Sequence, residues 1–97
     1  MHVISRSTLR DFWETHPDAE GPLLAWFREA KVAEWTTPSD IKRGYASASF
    51  LAERVVIFNI AGNKYRLEVQ VLFEQQVVYV RFVGTHQEYD ERNKRGR

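Results

Sequence analysis

The stretch KYRLEVQVLF, residues 64–73, alternates apolar and polar side chains over most of its length. Its apolar members are Tyr65, Leu67, Val69, Val71 and Phe73, and its polar members include Arg66, Glu68 and Gln70. Successive side chains of a β-strand point to opposite faces of a sheet, so this spacing predicts a strand with one face on a hydrophobic core. The other face of the same strand carries charged side chains.

Two further strands are predicted, at residues 55–60 and 76–84, because both segments are rich in β-branched and aromatic residues. Gly62-Asn63 is a signal for a tight hairpin turn, and FEQQV, residues 73–77, supplies a second turn signal. Placing core residues opposite core residues then fixes the register. The expected pairs are Ile60 with Tyr65, Phe58 with Leu67, Val56 with Val69, Val71 with Val78, Val69 with Val80, and Leu67 with Phe82.

The same register brings polar side chains together on the face of the sheet away from the core. It sets Asn59 opposite Arg66 and Glu68 opposite Arg81. A slip of one residue would move these side chains to the core face. We therefore expect all four to lie near the point where the segment GTHQEYD, residues 84–90, leaves the sheet.

The first half of the chain is predicted to be helical, with helices from Ser7 to Pro17, from Asp18 to about Trp35, and from Thr37 to about Tyr45. The first two carry apolar stripes at helical spacing. These stripes are Leu9, Phe12, Trp13 and His16, and then Leu23, Trp26, Phe27 and Ala30. The third begins with Thr37 as N-cap, Pro38 at its first position and Asp40 in its first turn. The tryptophans, including Trp35, are interpreted as packing residues, residues 1–5 as a short strand or lead-in, and residues 46–54 as an irregular connection.

Helices followed by strands indicate an α+β fold, in which the N-terminal helices cover one face of a small antiparallel sheet. Ninety-seven residues are expected to form a single domain, residues 1–97. No segment approaches the roughly 18 apolar residues of a membrane span, and the N-terminus lacks the apolar core of a signal peptide. There is no cysteine, so disulfides and thiolate metal sites are excluded. The simplest expectation is a cytoplasmic protein without a membrane partner.

The net charge of +1 identifies no partner for the whole molecule. The segment RNKRGR, residues 92–97, nevertheless holds four basic side chains. We interpret it as a solvated and frayed tail, with an arm that contacts phosphate as the alternative.

The segment FVGTHQEYD, residues 82–90, combines a helix start with candidate chemistry. Thr85 and Glu88 have the spacing of a capping box, which predicts a short C-terminal helix. His86, Tyr89 and Asp90 then lie on one face of that helix, and Asp90 could hold the His86 ring. The alternative for the His86–Asp90 pair is a hydrogen bond at the surface without a functional role.

Arg66 and Arg81 each interrupt an apolar strand. Because a guanidinium presents a planar fork of donors to phosphate oxygens, the two arginines, with Lys64 nearby, match a phosphate site. The alternative is that both are solvated residues, with Glu68 as a cross-strand partner of Arg81.

Other kinds of site receive no support from the sequence. The three histidines, His2, His16 and His86, show no metal-ligand spacing among themselves, and there is no glycine-rich phosphate loop and no G-x-S-x-G turn. We therefore expect neither a metal nor another cofactor.

Three segments resemble the HigB family of bacterial toxins, which belongs to the wider RelE-like group. They are VISRSTLRDFWETHPDAEGPLLAWFREAK, VVIFNIAGNKYRL and VYVRFVGTHQEYD, and the most specific parts are FNIAGNKYRL and FVGTHQEYD. The resemblance covers residues 3 to about 90. It implies a RelE-like fold and cleavage of mRNA, usually on the translating ribosome. It also implies an antitoxin partner, HigA-like, whose helix-turn-helix domain binds operator DNA, so the toxin reaches DNA only through the antitoxin.

By this resemblance, the arginine of KYRL is Arg66, and the basic residue after the glycine of the last strand is His86. Many RelE-like ribonucleases have an arginine at the His86 position and a tyrosine several residues later, whereas here Tyr89 follows after three. The resemblance therefore leaves open which residue is the acid and which the base.

The resulting hypothesis is a metal-independent endoribonuclease of a type II toxin–antitoxin system. Arg66 and Arg81 would bind the phosphate, His86 would be an acid or base, and Tyr89 would be the second proton carrier or a stacking surface. The expected substrate-binding residues are Lys64, Asn59 and Asp90, and Asp90 would also orient His86; for Asn59 the alternative is an amide satisfied at the sheet edge. A binding module without catalysis, or a degraded toxin that keeps its antitoxin, remains the alternative.

Overall fold

The computed structural model describes residues 1–94 and shows an α+β arrangement. The strands are β1 (His2–Ile4), β2 (Ser49–Phe50), β3 (Val55–Ile60), β4 (Tyr65–Leu72) and β5 (Val77–Thr85). The helices are α1 (Arg6–Thr15), α2 (Glu20–Val32), α3 (Pro38–Gly44) and α4 (His86–Lys94), with 3-10 turns at Pro17–Ala19 and Ala52–Arg54. The predicted order of helices followed by strands and the short C-terminal helix are confirmed.

The sheet has five strands in the order β1-β5-β4-β3-β2. Strands β3, β4 and β5 form the predicted antiparallel meander. The segment expected to be irregular supplies a two-residue edge strand, β2, which pairs antiparallel with β3. At the opposite edge β1 runs parallel to β5, so the sheet is mixed, a feature that the sequence did not predict.

The hairpin between β3 and β4 has the predicted register. Ile60 pairs with Tyr65, Phe58 with Leu67, Val56 with Val69, and Asn59 with Arg66. Gly62 in the turn has a φ angle of 69°, which glycine adopts without strain, whereas Ala61 has a φ angle of 55°, which is uncommon for a residue with a Cβ atom. The backbone N–H of Lys64 closes the turn by donating to the Ala61 carbonyl at 3.3 Å.

The hairpin between β4 and β5 has the predicted register only between its turn and a β-bulge. The pairs Val71 with Val78 and Val69 with Val80 are confirmed. The predictions that Leu67 pairs with Phe82 and that Glu68 pairs with Arg81 are wrong, because Leu67 pairs with Val83 and Glu68 with Phe82. The register shifts between Glu68 and Val69, so Arg81 is the extra residue of β5. The bulge turns Val83 into the core and places Phe82 on the opposite face of the sheet.

Helices α1 to α3 bury their apolar stripes against one face of the sheet. Their fully or nearly fully buried members include Leu9, Leu23, Trp26, Ala30 and Ile41, which join Val56, Phe58, Leu67, Val69 and Val71 of the sheet in one core. Trp26 and Trp35 are buried and Trp13 is half-buried, which confirms their interpretation as packing residues. In residues 1–94, no helix combines the length and apolar character needed to span a membrane.

The fourth helix lies on the other face of the sheet. It packs against β4 and β5, where Arg92 contacts Glu68 and Phe82, and both of these point away from the main core. The sheet is therefore covered by a large helical layer on one face and by α4 on part of the other.

Candidate active site

The start of α4 is fixed by the predicted capping box. The backbone N–H of Glu88 donates to the Thr85 hydroxyl at 3.1 Å, and the backbone N–H of Thr85 donates to Glu88 Oε1 at 2.8 Å. These two bonds satisfy N–H groups that would otherwise have no partner at a helix start. The helix axis thereby starts at the end of β5, and His86 stands in the first turn.

His86 and Asp90 form the predicted pair on the solvent side of α4. His86 Nδ1 lies 3.1 Å from Asp90 Oδ2, and the two side chains are 52% and 51% exposed. The carboxylate fixes the orientation of the ring while leaving both residues open to a ligand.

Tyr89 faces the sheet more than solvent. Its ring is half-buried, with its centroid 6.5 Å from that of Phe82 and the two planes inclined at 44°. Phe82 can meet this ring only because the bulge turns it away from the core. His86 and Tyr89 therefore differ in exposure, although their spacing places them on one side of the helix.

Arg66 lies beside the start of this helix. Its cross-strand neighbours are Asn59 on β3 and Gly84 on β5, and Gly84 has no side chain to cover it. In residues 1–94, the single hydrogen bond of the Arg66 guanidinium runs to the Asn63 carbonyl at 3.4 Å, so no carboxylate neutralises its charge. The Asn59 amide donates to the Ser47 carbonyl at 3.4 Å.

Glu68 is the centre of an ion cluster under α4. Its side chain is fully buried, and Arg92 Nη1 donates to Oε1 at 2.5 Å. Arg81 Nε lies 3.7 Å from Oε2, which places the Arg81 guanidinium on the same face as Arg66. The predicted association of Glu68 with Arg81 is present, although the two residues are not a cross-strand pair.

Arg92 is the residue of this cluster that the sequence interpretation missed. The basic composition of residues 92–97 predicts a tail, whereas α4 continues to Lys94 and includes Arg92. Residues 95–97 of the predicted tail lie outside the described part of the chain. The sequence does contain a signal for this position of Arg92, because Thr85, Tyr89 and Arg92 follow the i, i+4, i+7 spacing of one helix face.

Lys64 points toward the helical layer. Its ammonium pairs with the Asp18 carboxylate, and the Tyr65 hydroxyl donates to the same carboxylate at 2.5 Å. The hydrogen bond from Lys64, and then the one from Tyr65, hold the pKa of Asp18 below its usual value, while Asp18 raises the pKa of Lys64. Lys64 would have to leave Asp18 before it could bind a phosphate.

Comparison with known proteins finds a family that the chain matches. Residues 19–92 match the model of the HigB toxin family, described as the RelE-like toxic component of a toxin-antitoxin system. The chain belongs to the HigB toxin family. The matched HigB segment contains Arg66, Arg81, His86 and Tyr89, so each candidate catalytic residue lies within the family region.

Curated HigB proteins match almost the whole chain. The mRNA interferase toxin HigB of Escherichia coli strain K12 is 32% identical over 92 residues, which cover 93% of this chain and 88% of that protein. The mRNA interferase HigB of Shigella flexneri shows the same identity and coverage. A further mRNA interferase HigB, from Escherichia coli O6:H1, is 22% identical over 92 residues, covering 93% of this chain and 89% of its own.

Within this HigB chain the candidate residues divide into two groups. His86, Asp90 and Arg66 lie around the start of α4, while Arg81 and Tyr89 lie closer to the Glu68 cluster and Phe82. Across residues 1–94, no three His, Asp or Glu side chains form a group that could hold a metal ion.

Proposed function

We propose that this protein is the toxin of a type II toxin–antitoxin system and an mRNA interferase that cleaves mRNA on the translating ribosome. Membership of the HigB family and the mRNA interferases among its relatives support this assignment. The observation that carries it is the orientation of His86 by Asp90 at 3.1 Å, beside Arg66, whose charge no carboxylate of residues 1–94 neutralises. Cleavage of mRNA in this way stops translation and growth.

The proposed reaction is attack of a ribose 2′-oxygen on the adjacent phosphorus. A base takes the proton of the 2′-hydroxyl as the new P–O bond forms, and an acid gives a proton to the 5′-oxygen as its bond to phosphorus breaks. Cationic donors stabilise the negative charge that develops on the phosphate oxygens. These steps need two proton carriers and at least one fixed cation.

His86 is assigned as one proton carrier. Its Nδ1 faces the Asp90 carboxylate, so a proton on Nδ1 is held there and Nε2 remains to exchange a proton with RNA. Tyr89 is the second carrier or the surface on which a base stacks. Which of the two acts first as base is left open.

The phosphate is assigned to Arg66 and Arg81. Arg66 donates to a carbonyl oxygen, whereas Arg81 shares its charge with Glu68, so Arg66 is the stronger phosphate ligand of the two. Asn59, as the cross-strand neighbour of Arg66, and Lys64, once released from Asp18, are assigned to the rim of the RNA site.

The test compares RNA cleavage by His86→Ala and Arg66→Ala with that by the unaltered protein, in a translating extract with and without ribosomes. His86→Ala is expected to lower cleavage by a factor of about 10² to 10⁴, as for the loss of a positioned acid or base. Arg66→Ala is expected to weaken both RNA binding and turnover.

Two matched substitutions serve as controls. His2→Ala removes an exposed histidine of β1, and Arg10→Ala removes an exposed arginine of α1; both should cleave normally. Undiminished cleavage by folded His86→Ala would remove His86 from the mechanism. Binding that depends steeply on salt, without any product from the unaltered protein, would instead identify a non-catalytic module.

The proposed protein partner is a HigA-like antitoxin with a helix-turn-helix domain, which binds the operator DNA. Expression of the toxin alone should arrest growth, and co-expression of the antitoxin should relieve the arrest. Absence of arrest together with retained antitoxin binding would identify a degraded toxin.

A further inference from the structure

Helix α4 carries candidate catalytic residues but has few apolar contacts of its own. None of the residues His86–Lys94 is buried. Most helical stability in proteins comes from packing an apolar face, and short helices are marginal without it. Some other interaction must therefore hold α4 at a fixed angle to the sheet.

An ion pair joins the last turns of α4 to the sheet. The Glu68 side chain on β4 is fully buried, and Arg92 in the last turns of α4 donates to it at 2.5 Å. A buried carboxylate needs a charged partner with good geometry, so Glu68 draws the Arg92 guanidinium down to the sheet.

The same guanidinium orders the aromatic residues beneath the helix. Its central carbon lies 4.8 Å from the centroid of the Phe82 ring, a distance suited to cation–π attraction. That ring also faces the Tyr89 ring, with the two centroids 6.5 Å apart. Glu68, Arg92, Phe82 and Tyr89 thus form a continuous series of contacts from the sheet to the catalytic side of α4.

We propose that Glu68 and Arg92 are positioning residues, which fix α4 so that His86 stands beside Arg66 and Tyr89 packs against Phe82. Glu68 is inaccessible and therefore cannot touch RNA, so it acts only through Arg92. The proposal rests on the proposed ribonuclease activity for its catalytic consequence, but the docking of α4 can be measured without it.

A different role for Arg92 would be direct binding of an RNA phosphate, since its side chain is 29% exposed. The two roles give opposite expectations for Glu68→Gln. If Arg92 binds RNA, loss of the Glu68 charge releases the guanidinium and RNA binding stays the same or improves. If Arg92 positions α4, the same substitution loosens the helix and slows turnover.

The experiment uses Glu68→Gln, Arg92→Ala and the double variant, with Lys94→Ala as the control that removes an exposed cation from the same helix. Amide hydrogen exchange is followed in residues 86–94, and kcat and KM are measured on an RNA substrate under the conditions in which the unaltered protein cleaves. Tryptophan fluorescence reports folding of the main core, where Trp26 and Trp35 are buried.

Glu68→Gln keeps the shape of the side chain and weakens a charge-assisted hydrogen bond. We expect exchange in residues 86–94 to rise by about tenfold and kcat to fall by about tenfold, with KM within about twofold. In residues 86–94 the double variant should exchange no faster than Arg92→Ala, because both changes break the Glu68–Arg92 contact. The 3.7 Å pair of Glu68 with Arg81 joins β4 to β5 and does not hold α4. Lys94→Ala should alter neither exchange nor kcat.

Unchanged exchange and kcat in Glu68→Gln would overturn the proposal, and so would a double variant whose losses are the sum of the single ones. If Arg92→Ala fails to fold, Glu68→Gln and Arg92→Lys still test whether the Glu68–Arg92 contact positions α4. Arg92→Lys keeps the positive charge but lacks the planar fork of the guanidinium. Absence of cleavage by the unaltered protein would refute the ribonuclease assignment, while the exchange measurement would still test the docking of α4.

Discussion

At the scale of single residues, the contact between His86 and Asp90 follows directly from their spacing. A separation of four positions on a helix brings two side chains together. His86 Nδ1 and Asp90 Oδ2 lie 3.1 Å apart on the exposed side of α4. The proton-transfer role that we propose for His86 does not follow from spacing. It depends on Arg66, which comes from another strand and has no neutralising carboxylate among the described residues.

Asp90→Asn should lower RNA cleavage by about tenfold while leaving the fold unchanged. An asparagine can turn its amide toward Nδ1 and favour the ring tautomer with the proton on Nε2, which is the opposite of the one that Asp90 favours. The measurement is the cleavage rate of the purified variant at constant RNA concentration. Glu91→Gln, which likewise replaces an exposed carboxylate of α4 with an amide, should cleave normally. Equal cleavage rates for Asp90→Asn and Glu91→Gln would show that Asp90 does not orient His86.

At the scale of elements, the last strand is where the sequence interpretation was wrong. In VYVRFVG, residues 78–84, Val80 and Phe82 continue the alternation of a regular strand, so the pattern predicts Phe82 in the core. The bulge at Arg81 breaks that alternation, and Val83 takes the core position instead. Because Phe82 and Val83 are both apolar, the pattern does not distinguish the two registers. The first hairpin contains no such ambiguity, and its register was predicted fully.

The error matters for the candidate site. With Phe82 in the core, Arg92 would keep its contact with Glu68, but Tyr89 and Arg92 would lose the aromatic ring on which they pack. Asn59, Arg66 and Glu68 were nevertheless predicted on one face, because their positions depend mainly on β3 and β4. Contacts made by α4 beyond Asp90 were not predicted, since the basic composition of the tail indicates a solvated end.

Gly84→Ala should destabilise the junction between β5 and α4. A Cβ atom at Gly84 would lie 2.7 Å from Phe82 Cζ and 3.0 Å from Glu88 Oε1, and these two groups are held by Arg92 and by the capping box. We expect a loss of about 1–3 kcal/mol in the free energy of unfolding, as for other overpacked sites. Urea unfolding measures this loss.

Gly21→Ala provides the control, because a Cβ there meets nothing within 4 Å. That variant should be as stable as the unaltered protein or slightly more stable. A Gly84→Ala protein of unchanged stability would mean that Phe82 moves freely, which would contradict its close packing beneath α4.

At the scale of the whole molecule, the sheet separates two layers of different character. The face toward α1 to α3 is apolar and was predicted from periodicity alone, since stripes at helical spacing need a flat apolar surface to cover. The face toward α4 carries the Glu68 ion cluster, the Phe82 ring and the buried side chains of Val55 and Ile57. A stable main core thus supports a smaller and more polar layer in which the candidate chemistry lies.

The turn between β3 and β4 is joined to the helical layer by Asp18, which accepts from Lys64 and Tyr65. The pKa of Asp18 is lowered, so the native state binds its proton more weakly than the unfolded chain does. The stabilisation is therefore fully present above the ordinary pKa of 3.8 and is lost as the pH falls through the lower native value. Asp18→Asn should reduce stability near neutral pH and have little effect in strong acid.

Urea midpoints of the unaltered protein and Asp18→Asn at a pH of about 6 and of about 2.5 test this expectation. Asp40, whose pKa is lowered to about 2 by hydrogen bonds from Thr36, is present in both proteins, so the difference between their midpoints isolates Asp18. That difference should shrink as the pH falls, because protonation removes the charge that Lys64 stabilises. A difference that is the same at both pH values would instead assign the effect of Asp18 to packing and would exclude its charge as the link between the turn and the helical layer.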